Sequence, residues 1–88
     1  MPKNEWAIKR LGKKLRTLRI HRGLTLKALA HKLGYAAHGY LSEIESGKKT
    51  PTVELTLKIA TFFDITTDQL LRDEIELDIG DAHKITSA

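Results

Sequence analysis

Apolar residues recur along this chain at helical spacing. Ile8, Leu11, Leu15 and Leu18 follow one another at intervals of three and four, with Lys and Arg on the other faces, which is the signature of one buried stripe. The pattern predicts a first helix from near Asn4, its N-cap, to about Arg22, stopped by Gly23. Thr25 is a suitable N-cap for a second helix in which Leu29, Ala30 and Leu33 face inward and which Gly34 ends. A third runs from about Ala37 to Ser46, anchored by Leu41 and Ile44 and closed by Gly47. The loop Gly-Lys-Lys-Thr-Pro-Thr follows. Pro51 and Thr52 then set up a fourth helix over 53–63, with Val53, Leu57, Ala60 and Phe63 expected on one face. Thr66-Thr67-Asp68-Gln69 fits a capping box, with Gln69 reaching back to Thr66, and opens a short fifth helix containing Leu70 and Leu71. Nothing before residue 73 asks for a strand. The expected fold class is all-α, with a domain over 4–72 and an extension over 73–88.

The extension reads two ways. Glu74-Ile75-Glu76-Leu77-Asp78-Ile79 alternates acidic and apolar residues, the period of a half-buried strand that would need a partner from another chain. Alternatively the fifth helix continues and Ile75 packs on Ile79. On the first reading Ile75, Leu77 and Ile79 are candidate dimer contacts. Residues 81–88 read as a disordered tail.

Length and composition narrow the function. Eighty-eight residues suffice for one modest core. With no cysteine, neither a disulfide framework nor a thiolate metal site is available, and His21, His31, His38 and His83 lack ligand-pair spacing, so no metal is expected. No segment has signal-peptide or membrane-span character, so a cytoplasmic, nucleoid-associated protein is expected. The net charge of +4 hides an asymmetry. Residues 1–50 carry twelve Lys and Arg against three Glu, a balance of +9, and residues 51–88 carry three against eight Asp and Glu, a balance of −5. One half suits a polyanion and the other avoids it; a merely solvated basic helix is the plainer alternative.

The stretch from Leu24 to Gly47 concentrates the candidate chemistry. Two short helices joined by a tight turn can lay the second into the major groove of double-stranded DNA. Base-contact candidates on its outer face are Ala37, His38, Gly39, Ser42 and Glu43. His38 and Ser42 share a side and can each donate to or accept from a base edge. Glu43 either accepts from a cytosine amine or turns away toward Lys48 or another base. Phosphate-contact candidates are Thr25, Leu26 and Lys27, at the positive end of the second helix, together with Tyr40, Lys48, Lys49 and Thr50. Glu45 reads as structural. Arg16 and Arg19 are candidates to pair with it or with tail acids, and Trp6 reads as a core or interface anchor. Tyr35 and Tyr40 read by default as amphipathic residues half in the core. No nucleophile–base pair, phosphate-cradling loop or metal cluster is present, so no enzyme and no cofactor is expected.

An ordered set of residues carries a family resemblance: Leu11, Leu15, Arg16, Leu18 and Arg19, then Gly23-Leu24-Thr25, Leu29-Ala30, Leu33-Gly34, Tyr40-Leu41-Ser42, Ile44-Glu45, Gly47-Lys48, Pro51 and Leu57-Ile59-Ala60. Over about Leu11 to Leu71 the chain resembles the XRE-type helix-turn-helix proteins, which include the lambda-repressor and Cro proteins. The resemblance implies a five-helix, lambda-repressor-like, non-catalytic domain whose second and third helices form the DNA-binding motif. It also implies a transcriptional regulator, expected to be a repressor, acting as a homodimer on a palindromic operator. An antitoxin covering a toxin with its acidic tail, a restriction-modification controller, and a protein-interaction adaptor without DNA binding are the alternatives. Two positions depart from the family pattern. Leu26 stands where glutamine is common after the helix-two cap, and the approach to the third helix is one residue longer and lacks a Ser or Thr cap.

Overall fold

The computed structural model describes residues 8–77. Five helices follow in order: α1 Leu11–His21, α2 Leu26–Lys32, α3 Gly39–Glu45, α4 Val53–Phe63 and α5 Thr67–Leu71. α3 packs on α1 and α2, while α5 packs on α1 and α4. Leu15, Leu29, Leu41, Ile44, Leu55, Ile59 and Leu70 form the fully buried centre, each worth about 1.5–3 kcal/mol relative to exposure. No helix among the described residues is long and apolar enough to cross a membrane.

The helix boundaries follow from local chemistry. Thr25 accepts from the Ala28 N–H at 3.0 Å and Thr52 from the Leu55 N–H at 3.1 Å. Thr66 accepts from the Gln69 N–H at 2.9 Å, while the Gln69 side chain accepts from the Thr66 N–H at 2.9 Å, completing the capping box. Such caps contribute about 1 kcal/mol each. The first four helices end alike. After α1, α2 and α3, the residue at positive φ is Gly23, Gly34 or Gly47, and the next N–H reaches back to the carbonyl of Arg19, Ala30 or Glu43. Asp64, at φ 58°, takes that place after α4, with Ile65 donating to Ala60. Leu24, Tyr35 and Ile65, the residues that make three of these reaching bonds, all pack on the core, so each stop also directs the chain inward.

Four sequence expectations are corrected. α1 starts at Leu11, not near Asn4, and Ile8 stands 44% exposed ahead of it. The amides just ahead of it find their acceptor far along the chain: Asp73 accepts from the Lys9 and Arg10 N–H groups, each at 2.9 Å. Asn4 and Trp6 lie outside the described residues. α3 starts at Gly39 rather than Ala37, and His38 at the N-cap makes no side-chain capping bond. α4 has the expected span, but its buried face is Leu55, Thr56, Ile59, Ala60 and Phe63. Val53 and Leu57 are exposed. The helix is apolar on two stripes, and spacing alone does not choose between them. Finally, residues 74–77 are neither strand nor helix. A turn closed by the Ile75 N–H on the Arg72 carbonyl, at 3.1 Å, returns the chain toward α1. Ile79 and the tail beyond it lie outside the described residues.

Candidate nucleic-acid interface

α3 is fastened from behind and bare in front. Leu41 and Ile44 are buried. On the opposite side His38, Gly39, Ser42 and Ser46 are exposed, and the Ser42 N–H donates to the His38 carbonyl at 3.0 Å, placing the two one helical turn apart on one edge.

Two contacts with α1 set the tilt of α3, and both involve its C-terminal end. Arg19 grips Glu45 in a fork, Nε to Oε2 at 2.7 Å and Nη2 to Oε1 at 3.1 Å, and donates through Nη1 to the Leu24 carbonyl at 2.8 Å. One guanidinium thereby ties α1, the α1–α2 turn and α3 together. Its hydrogen bonds to Glu45 raise the Arg19 pKa above the ordinary value. The second contact is a close approach: a Cβ on Gly12 would lie 2.5 Å from the Ile44 carbonyl oxygen and 2.6 Å from that of Glu45. Arg19 with Glu45 was one of the pairings the sequence offered; Gly12 was not singled out, since a glycine inside a predicted helix does not say what crosses it.

The loop after α3 is held to the helix. The Lys48 and Lys49 N–H groups donate to the Glu43 carbonyl at 2.8 and 3.2 Å, and the Tyr40 hydroxyl donates to the Thr50 carbonyl at 3.2 Å. Tyr40 is half-buried and packs edge-on to Tyr35. The Glu43 carboxylate turns to Lys49 Nζ at 3.3 Å, so the one acid on the outer side of α3 is partnered by a base other than Lys48.

Internal pairing sorts the cations. Arg10 pairs with Glu76 at 2.9 Å and donates to the Asp73 carbonyl. Lys14 is buried, and its Nζ donates to the carbonyls of Gln69, Arg72 and Ile75 at 2.6, 2.8 and 2.7 Å. Burial pushes its pKa down. Arg22 stacks over Phe62 and Phe63, 5.4 and 5.1 Å from the ring centres. Lys27, Lys32 and Lys48 are exposed and form no ion pair with a described residue. Glu76 thus neutralises Arg10 ahead of α1, but Lys9, Lys13 and Arg16 are likewise exposed without an ion pair to a described residue, so positive charge remains along α1 as well as around α2 and the loop after α3.

Residues 12–76 match the sequence profile of a family described as a helix-turn-helix domain. The chain belongs to that helix-turn-helix family. This makes it a non-enzymatic helix-turn-helix domain. It is also similar to a protein named HTH-type transcriptional activator BcrR from Enterococcus faecalis, at 41% identity over 61 residues. That match covers 69% of this chain and 29% of the relative, so the chain spans less than a third of that protein's length.

Within the helix-turn-helix unit the sequence candidates occupy distinct places. His38, Gly39 and Ser42 lie on the exposed edge of α3, with Ala37 exposed just ahead of it. Thr25 and Lys27 are exposed at the start of α2, whereas Leu26 packs partly against the core. Lys48, Lys49 and Thr50 are exposed in the loop. Ile75 and Leu77 are half-buried, and Leu77 packs on this chain's own core. The sequence reading missed Lys14 as a buried residue. Its signal was present, because Lys14 stands three residues after Leu11 and four before Leu18, inside the apolar stripe.

Proposed function

We propose that this helix-turn-helix domain binds double-stranded DNA sequence-specifically and regulates transcription as a homodimer on a palindromic operator, in the cytoplasm. The observation that carries the reading is the bare edge of α3 formed by His38, Gly39 and Ser42, its one neighbouring acid paired to Lys49, with unpaired Lys27 and Lys48 on adjoining segments. Phosphate contacts from the start of α2 and from the 48–50 loop fix the register, and the α3 edge reads base edges in one major groove per subunit. Two subunits read half-sites about 34 Å, or one DNA turn, apart.

Repression is the expected sign where the operator overlaps a promoter. The similarity to a protein named an activator supports the opposite sign where it lies upstream. Selection of bound duplexes from a random pool tests the reading: enrichment of a motif with twofold symmetry and one-turn spacing is the expected result, and a pool that enriches nothing overturns it. A reporter placed behind the selected site then reads the sign.

A further inference from the structure

α1 turns a basic, partly apolar side to solvent. Lys13, Arg16, Thr17, Ile20 and His21 are all exposed, at the positions left outward once Leu11, Leu15 and Leu18 are buried. Ile20, 53% exposed, is the large apolar residue among them. Two grooves run along this side. One of about 320 Å³ is lined by Arg10, Lys13, Lys14, Thr17, Glu76 and Leu77. The next, of about 330 Å³, is lined by Arg16, Thr17, Ile20 and His21. Thr17 lines both, so together they form one trough from Arg10 to His21.

The charges of this trough do not balance. Lys13 and Arg16 form no ion pair with a described residue, and Lys9 stands exposed just ahead of them. Arg10 is matched by Glu76, and Lys14 is spent on three carbonyls. Glu76 is the one acid that lines either groove. Leu77, the last described residue, already lies in the first groove and packs on the core. The chain continues Asp78-Ile79-Gly80-Asp81, which supplies two acids for two cations and one apolar residue for Ile20. Residues 1–7 carry Glu5 against Lys3 and bring no net acid.

We propose that residues 78–81 dock in this trough as an acid cover for α1. The register follows from two repeats. Extended chain places alternate residues on one side, about 6.6 Å apart, while one helical turn advances about 5.4 Å. With Glu76 on Arg10, Asp78 meets Lys13. Ile79, on the side of Leu77, meets Thr17 and Ile20, and Asp81 meets Arg16 beyond Gly80. His83 and Lys84 are basic, so the cover ends with Asp81. Docking leaves Lys9, Arg22, Lys27, Lys32 and Lys48 as the exposed described cations without an acid partner. Uncompensated charge thereby shifts from α1 toward α2 and the loop after α3.

The chain has no cysteine, so engineered pairs report the docking without interference. An Ile20→Cys, Ile79→Cys chain is expected to close an internal disulfide at least about tenfold faster than a Ser42→Cys, Ile79→Cys chain, because docking raises the local thiol concentration. Adding Lys13→Glu and Arg16→Glu is expected to remove that advantage. The substituted α1 positions are exposed, and circular dichroism reports folding. A second measurement needs no cysteine: amide NMR shifts of the full chain carrying Asp78→Lys and Asp81→Lys, against wild type. Changes concentrated at Lys13, Arg16, Thr17 and Ile20 are expected. Equal closure rates for the two pairs, an advantage that survives the charge reversal, or α1 amides that do not move would each overturn the proposal. So would faster closure at Ser42, which would put the acids over the α3 edge, or disulfides between chains only, which would make a second copy the occupant. No DNA enters either measurement, so failure here leaves the DNA-binding reading to stand or fall by duplex selection.

Discussion

Gly12 of α1 lies against the carbonyl oxygen of Ile44, near the C-terminal end of α3, with room for a hydrogen and not for a methyl group: an added Cβ would stand 2.5 Å away. The helix that builds the core and the helix that faces outward thus meet backbone to backbone. Whatever α3 reads, its angle is set partly by a side chain that is not there.

Gly12→Ala tests that dependence. Alanine raises helix propensity by up to about 1 kcal/mol, but overpacking against two fixed carbonyls costs about 1–3 kcal/mol. The expected outcome is a lower urea midpoint together with weaker binding to a selected duplex. Unchanged stability and unchanged affinity would show that α1 and α3 can part freely.

The Arg19–Glu45 fork is the second brace, its side chains only 11% and 6% exposed. Removing one partner strands a buried charge, so Arg19→Ala should cost about 3–5 kcal/mol in chemical denaturation. It also orphans the Leu24 carbonyl. Arg19→Lys retains the charge without the planar fork and should recover only part of the loss.

Asp73 gives the fold an acid limb. Burial raises its carboxyl pKa, but the amide bonds from Arg10 and Lys9 and the nearby charges of Lys14 and Arg10 outweigh this, leaving it below its ordinary 3.8. Glu76 is also lowered, by its hydrogen bond from Arg10 and that residue's charge. A carboxyl depressed in the folded state contributes stability that is complete above its unfolded pKa and lost as pH falls through the folded one. Denaturation midpoints should therefore drop below pH 3.8. Asp73→Asn should be less stable at neutral pH, by about 0.5–1.5 kcal/mol for weakened hydrogen bonds from the Lys9 and Arg10 amides, and the gap to wild type should close as the pH falls through that window.

On DNA, the α3 edge and the loop should separate by what they lose. Ser42→Ala and His38→Ala should each weaken binding to a selected site by about 1–3 kcal/mol per half-site, with little effect on random duplex. Lys48→Ala should weaken both. With on the order of 3–5 phosphates neutralised per subunit, log K for the dimer should fall against log salt with a slope of about −5 to −9, and Lys48→Ala should flatten it. A wild-type slope near zero would remove the electrostatic part of the reading, and three silent substitutions would remove the site assignment.

The elements were legible wherever one local rule decided them. Thr25, Thr52 and Thr66 as caps, and the glycines after α1, α2 and α3, depend on φ, ψ and the nearest few amides. The same holds for the outward place of His38 and Ser42, which follows once Leu41 and Ile44 face inward. Where two local patterns compete, the sequence is silent. Val53 and Leu57 lie at helical spacing as Leu55, Ile59 and Phe63 do, and which stripe is buried depends on where α5 packs. Residues 74–77 likewise fit a strand period, yet Ile75 and Glu76 are held by Lys14 of α1 and by Arg10 ahead of it rather than in a ladder.

By itself, then, the amino-acid order determined five helices, their stops, a basic half and an acidic half, and the pair of short helices that places this chain in its family. The tertiary structure decided which face of α4 stays wet, that an aspartate 63 residues away serves the start of α1, that a lysine is buried among three carbonyls, and that Gly12 must be small. The reason is one of range. Caps and turns are settled by groups within one turn of each other, whereas a buried charge or a close helix crossing depends on atoms that only the folded chain brings together.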